Sequence, residues 1–475
     1  MLFTGYLFAA CAASAQIINN KNTLPDIGVV GADTLSIEEE LTIGKAIFAQ
    51  LRGQGGVLYD PVVQEYIQSL GNKLVIQADN TKYPFTFFVI NNPTINAMAF
   101  FGGHVGTHTG LIYTAQNEAE LASVLAHEIA HVTQRHIVRR MQAAERNSPL
   151  QIASMIGGAI LLMASPEAGI AAITAGNAGA IQSNINYTRS YEKEADRIGI
   201  RILADSGFDP FAASAFFGRM LESKRWSSQA PAFLQTHPLS QDRVAEARNR
   251  AENLPKLSNP DSPMFAYVKA RIQARYMYTA SHNITYYLEQ LNRSTAIDDT
   301  HLQYGLAIAY MRNKQADKAL PILKELLSDD RENLAFIDAL ADVYIELDQY
   351  SNALSMLAPL ASTQAHNEII TLNYANVLIK AGQTTDAIEL LKDYLMVVPE
   401  SVLGHQLISD AYAASKQPML MHQANAELYQ LLSVYGKAID ELQFAYNYAE
   451  NYLTKQRIRA RINQLRETQL ALSER

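Results

Sequence analysis

The sequence predicts an α+β fold, mostly helical, with a small sheet confined to the first half and an all-α solenoid in the second. Three observations carry that prediction. Tyr83–Leu111 alternates in short runs, FTFFVI, AMAFF and HVGTHTGLI, broken by glycine turns, which is the period of half-buried strands. The flanking segments Ser36–Leu74 and Asn117–Ala144 carry apolar residues at helical spacing. From Ala307 onward, small residues return at a fixed interval.

Composition bounds what such a chain can do. At 475 residues, 48% hydrophobic and 18% charged, it can bury a core and has the length of two or three domains. A net charge of −8 and the lack of any Lys/Arg run leave no electrostatic footprint for nucleic acid. The single cysteine, Cys11, excludes an intramolecular disulfide framework, a zinc ribbon and an iron–sulfur cluster. Any metal must be held by histidines and carboxylates.

Taken in order, residues 1–15 (MLFTGYLFAACAASA) are apolar and end in Ala13-Ser14-Ala15, the pattern of a secretory cleavage site. A buried N-terminal helix and a lipoprotein signal with its lipid on Cys11 are the alternatives. Cleavage after Ala15 leaves no thiol, which suits an oxidising compartment. No other segment spans a bilayer: Ile152–Ala164 gives roughly 20 Å of helix against a hydrocarbon core of about 30 Å. That stretch and the Ala/Gly-rich run to about Ile181 read as buried or hairpin helices, or as a mobile cover or a surface for membrane or unfolded substrate. Asn117 caps the helix EAELASVLAHEIAHVTQRH. Another helix covers about Ser190–Ala204 and is closed by Gly207 and Pro210. Glu252–Met264, with three prolines, marks a boundary. The expected organisation is a signal at 1–15, a catalytic domain at 16–252, a linker at 253–264 and a repeat domain at 265–475.

In the repeat domain Ala307, Ala341, Ala375 and Ser409 recur every 34 residues, each followed by Tyr310, Tyr344, Leu378 and Tyr412. Ala319, Ala353 and Ala387 keep the same period, with Leu323, Leu357 and Leu391 four places on. Small residues where two helices approach, and large ones filling the next layer, are the tetratricopeptide signature. A plain helical bundle would need no fixed period.

The chemistry lies in His127-Glu128-Ile129-Ala130-His131. Residues four apart on a helix differ by about 40°, so His127 and His131 can place ring nitrogens on one cation. Glu128 lies about 100° away, beside the pair, where a general base can reach a water without ligating the metal. A catalytic zinc wants a third protein ligand. The residues after His131, VTQRHIVRR, supply none of the metzincin kind. Downstream, Glu192 and Asp196 of YEKEAD share a helix face while Glu194 points away. Glu192 is the candidate ligand, and Asp196 is placed to orient a histidine or handle a proton. A solvated charged face is the bland alternative.

NEAELASVLAHEIAHV, preceded by INAMAFFGGHVGTHTGLI and followed by EKEAD, resembles the gluzincin peptidases, which include the CAAX prenyl proteases and the heat-shock protease HtpX. The resemblance implies a zincin-type metallopeptidase domain with one zinc per chain, held by His127, His131 and Glu192. Glu128 would be the catalytic base and Asp196 an additional catalytic acid. With an export signal and repeats, the chain is most similar to periplasmic members of Gram-negative bacteria that act in outer-membrane biogenesis. These imply chaperone-like activity, unfolded or stalled outer-membrane β-barrel proteins as clients, and the β-barrel assembly machinery as a partner of the repeats. The transmembrane helices of membrane-embedded relatives are missing, so the expectation is a protein in solution or peripheral at the outer membrane.

Thr236–Arg243 (THPLSQDR) resembles the family's His-Pro…Arg segment. His237 would either stabilise the tetrahedral intermediate or occupy the open position as a fourth ligand and restrain activity; a plain surface histidine is the third option. His104 and His108 read as substrate-cleft or turn residues on a strand that could pair with extended substrate. His136, five after His131, reads as solvated. A chaperone or adaptor with a latent metal site is the competing function class, disfavoured because a structural site has no use for Glu128.

Overall fold

The computed structural model describes residues 35–145, 178–226, 231–255, 260–295 and 299–473. The expected export signal, the run Ile152–Ala164 and nearly all of the Ala/Gly-rich run after it lie outside the described residues.

α1 (Ile37–Gly53) begins at a capping box. Ser36 Oγ accepts from the Glu39 N–H, and the Glu39 carboxylate accepts from the Ser36 N–H at 2.8 Å. α2 (Pro61–Val75) is capped by Asp60, with Pro61 at its first position, and buries Val62, Val63, Ile67, Leu70 and Leu74. The sheet has three strands, β1 (Thr86–Ile90), β2 (Ala97–Phe100) and β3 (His104–His108), in the order β1-β3-β2. β1 runs parallel to β3, and β2 antiparallel to it.

This topology corrects three expectations. The third run stops being a strand at His108, and TGLIYT winds into α3 (Thr109–Thr114). β3 is the central strand, hydrogen-bonded on both sides, so it has no edge to offer a substrate; β2 is an edge strand. His104 and His108 are buried core residues rather than cleft residues. The His104 ring stacks on Phe100 at 5.0 Å, and His108 Nδ1 lies 2.9 Å from Thr94 Oγ1.

α4 (Glu118–Thr133) starts at Asn117, whose Oδ1 accepts from the Glu120 N–H at 2.9 Å. Its burial on nearly all sides makes it the axis of the first domain. Arg135, at φ 51°, breaks the helix and redirects the chain into α5 (His136–Glu145). The expected helix over Ser190–Ala204 is the second half of a longer one, α6 (Ala178–Asp205). α7 (Phe211–Trp226), the short α8 (Ala232–Thr236) and α9 (Gln241–Glu252) complete the shell around α4.

α10 (Pro263–Ile272) runs into a π-helical turn, Gln273–Met277, followed by α11 (Ala280–Arg293). Helical hairpins follow: α12 (Thr300–Arg312) with α13 (Ala316–Asp329), α14 (Leu334–Glu346) with α15 (Tyr350–Thr363), and α16 (Glu368–Lys380) with α17 (Thr384–Val397). α18 (Val402–Ala414) with α19 (Pro418–Leu431) and α20 (Tyr435–Tyr448) with α21 (Tyr452–Ser473) end the array. Ala307, Ala341, Ala375, Ala319, Ala353 and Ala387 are all fully buried, where helices meet.

The two halves share one continuous apolar core, from Leu58 on the α2 side to Val377 in α16. A buried charge cluster crosses the same junction. Arg271 Nε donates to Asp60 Oδ2 at 2.7 Å, and Arg271 Nη1 pairs with Asp338 Oδ2 at 2.7 Å. The array then curls back to α1. A Cβ on Gly53 would lie 2.1 Å from the Leu432 carbonyl oxygen, so only glycine permits this approach.

Candidate functional site

The site is built where α4 crosses α6. Gly199 allows the crossing: a Cβ there would sit 3.0 Å from the His127 backbone nitrogen. Asp196 and Glu192 lie one and two turns before it on the same face of α6, so the close approach carries both carboxylates to the histidines. Gly199→Val is expected to push α6 off α4, costing about 1–3 kcal/mol of stability and weakening metal retention. Thermal unfolding and metal stoichiometry check this; both unchanged would mean the glycine does not hold the geometry.

Donor atoms of His127, His131, Glu192 and His237 all lie within 4.8 Å of one another. His127 Nε2 is 3.0 Å from His131 Nε2 and 3.3 Å from His237 Nδ1. Glu192 oxygens lie 3.4 Å from His131 Nε2, 3.4 Å from His127 Nε2 and 3.2 Å from His237 Nδ1. Ligands about 2.05 Å from a tetrahedral cation are separated by about 3.3 Å, and these spacings are of that size. Nitrogens and a carboxylate aimed at one point fit a divalent metal ion. Three of the four side chains are buried, and His131 is half-buried.

Electrostatics follow from burial and neighbours. Burial opposes charge on His127, but Asp196 and Glu192 outweigh it and push its pKa up to about 10. Burial takes His131 down to about 3. Burial would also raise Glu192, yet His237, His127 and His131 hold its carboxyl well below the usual range. A cation entering the cluster therefore meets a ready carboxylate and displaces a proton.

Glu128 is buried beside this group, and burial raises its carboxyl, the direction a general base needs. The Ala99 backbone of β2 opposes that rise. His237 Nε2 stands 3.2 Å from Glu128 Oε1, off the hydrogen-bond line. Asp196 Oδ1 lies 3.1 Å from His127 Nδ1. The structure thus brings Glu128, Asp196, His127, His131, Glu192 and His237 into one cluster. His237 is no surface residue: it caps α8, is 7% exposed, and stacks on Phe233 at 4.8 Å.

Two features escape sequence reasoning. Arg243 closes the THPLSQDR stretch, and its guanidinium is fully engaged. It donates to Asp196 at 2.7 and 2.8 Å and to the Pro238 carbonyl at 2.6 Å, and pairs with Glu192 Oε2 at 3.0 Å. It clamps the acids of α6 to the loop that carries His237. His136 is not solvated; it is 2% exposed and its Nδ1 lies 2.9 Å from His131 Nδ1. The positive φ at Arg135 turns His136 back onto the ligand face, which helical spacing from His131 does not reveal.

Residues 61–251 match the model of peptidase family M48, and residues 310–366 and 344–411 match tetratricopeptide repeats. The chain is 37% identical to the beta-barrel assembly-enhancing protease of Escherichia coli strain K12, over 95% of this chain and 93% of that one. It is 44% identical to a Vibrio cholerae protein that carries the same name provisionally, over 96% and 95% of the two chains. Similarity to the human mitochondrial metalloendopeptidase OMA1 is 30% identity over 36% of this chain and 35% of the relative. With the cluster on α4 and α6 and the array behind it, the chain belongs to the β-barrel assembly-enhancing protease family, metalloendopeptidases of family M48 that carry tetratricopeptide repeats.

Proposed function

We propose that this chain is a zinc endopeptidase of the periplasm that degrades misassembled or stalled outer-membrane β-barrel proteins and assists productive ones. Its repeats reach clients and the β-barrel assembly machinery. The observation that carries this reading is the convergence of His127, His131, Glu192 and His237 with Glu128 alongside. No helix among the described residues is long and apolar enough to cross a membrane. The organisation we propose is a signal at 1–15, the peptidase at 16–252, a linker at 253–264 and the repeats at 265–475.

His127, His131 and Glu192 hold the metal, and a His₂Glu set suits zinc. Zinc bound there supplies a Lewis acid for the scissile carbonyl and makes water nucleophilic near neutral pH. Glu128 takes the proton of the attacking water and passes it to the leaving nitrogen. Asp196 faces His127 Nδ1 at 3.1 Å, off the hydrogen-bond line, and Arg243 holds Asp196 in place. β2, an edge strand whose Ala99 backbone lies by Glu128, is the strand that an extended peptide could lie against.

His237 would close the fourth position around a metal held there, which a catalytic centre needs open. Such an arrangement would hold the enzyme latent. His237→Ala, with zinc content measured alongside, is expected to cleave casein and an unfolded outer-membrane β-barrel protein about tenfold faster, the gain that corresponds to releasing a closed population of roughly nine in ten. A fall in rate with zinc retained would assign His237 to the tetrahedral intermediate instead.

A further inference from the structure

His131 presents Nε2 to the centre, so the proton on its other nitrogen decides whether that lone pair is available. His131 Nδ1 and His136 Nδ1 are 2.9 Å apart, and one proton fits between them. His136 Nε2 faces Glu194 Oε2 at 3.2 Å, and Arg139 Nη1 donates to the same oxygen at 2.8 Å. A carboxylate only accepts, so His136 carries its proton on Nε2 and offers a lone pair at Nδ1. The shared proton then belongs to His131 Nδ1. That leaves His131 Nε2 bare, 3.0 Å from His127 Nε2. The opposite order would set a lone pair against Glu194 and point an N–H into the centre. His136 is gripped as well: its ring stacks on Tyr191 at 4.7 Å with 21° between planes.

We infer that His136 and Glu194 form a two-ring tautomer relay that locks His131 in its ligating form. They are positioning residues rather than ligands. Ligating histidines usually donate their second N–H directly to a carboxylate or carbonyl; here an imidazole is interposed, which carries the influence of Glu194 across α5 to α4. The inference rests on the metal-centre reading above.

The test is zinc affinity of the full chain, by competition with a chromophoric chelator, in wild type, His136→Phe, Glu194→Leu and Glu194→Gln. Phe keeps a ring on Tyr191 and removes both nitrogens. Leu removes the acceptor at a partly exposed position, and Gln returns an acceptor oxygen. Affinity is expected to fall roughly 10–100-fold in His136→Phe and Glu194→Leu, and Glu194→Gln should recover most of it. If wild type binds no zinc, the metal-centre reading fails and the relay with it. If wild type binds zinc and Glu194→Leu binds equally well, the relay alone is overturned. Glu194→Gln as weak as Glu194→Leu also overturns it, since charge rather than an acceptor would then be at work. Should His136→Phe fail to fold, the two Glu194 variants decide.

Discussion

Glu128→Gln is expected to leave a folded chain with its metal and to lose peptide cleavage by roughly 10²–10⁴-fold. Gln fills the same volume, so packing around the neighbouring His127 is undisturbed. It cannot take a proton. Burial that raises the Glu128 carboxyl brings its affinity for a proton closer to what the attacking water requires, and no other carboxylate of the cluster can substitute: Glu192 is engaged by the histidines and Asp196 by Arg243. Casein or β-barrel fragments quantified by mass spectrometry, with metal content measured in parallel, give the answer. Equal cleavage by the variant would reject the role of Glu128. Lost cleavage with client assembly preserved would separate a chaperone-like activity from the protease.

Arg271→Leu should be the most destabilising single change at the junction of the two halves. The guanidinium is 1% exposed and sits between Asp60 and Asp338, with the Tyr304 hydroxyl 2.9 Å from Nη1. Removing it takes the nearest cation from both buried carboxylates, leaving Asp60 only Arg275 at 3.6 Å, which costs about 3–5 kcal/mol. Neutralising the partners as well, in Arg271→Leu with Asp60→Asn and Asp338→Asn, should restore much of the loss, because no charge then stays buried alone. Chemical denaturation reads both; a loss below about 1 kcal/mol for Arg271→Leu would show that water reaches the cluster. The pH dependence has a definite sign. Burial alone would raise the Asp60 carboxyl, but Arg271 and Arg275 hold it down at about 2. A depressed carboxyl contributes stability that is present above its unfolded value near 3.8 and is lost as pH falls from there toward 2. The Asp60→Asn chain should lack that acid-labile component.

Much of this architecture was legible because short-range periodicity encodes it. The 34-residue return of Ala307, Ala341 and Ala375 marks hairpins, since only a small residue fits where paired helices touch. The spacing of His127 and His131, and of Glu192 and Asp196, gives each pair a common face. What spacing could not reveal is contact made across elements. His136 looks off-face until the left-handed Arg135 redirects it, and the grip of Arg243 on Asp196 and the Pro238 carbonyl joins residues that no short spacing links. The alternation of HVGTHTGLI suggested a strand open to substrate, but strand order is decided by which runs pair, and β3 lies in the middle. His104 and His108 are inside for the same reason: they sit on the central strand.

The contact of Gly53 with the Leu432 carbonyl sets a limit on how this lineage can change. Open solenoids drift in size by duplicating or deleting a unit, because each unit touches only its neighbours. Here the arc returns to the first described helix, so a duplication would carry Leu432 past Gly53 and a deletion would stop short of it. The census of hairpins is therefore fixed by geometry, and diversification is channelled into surface side chains.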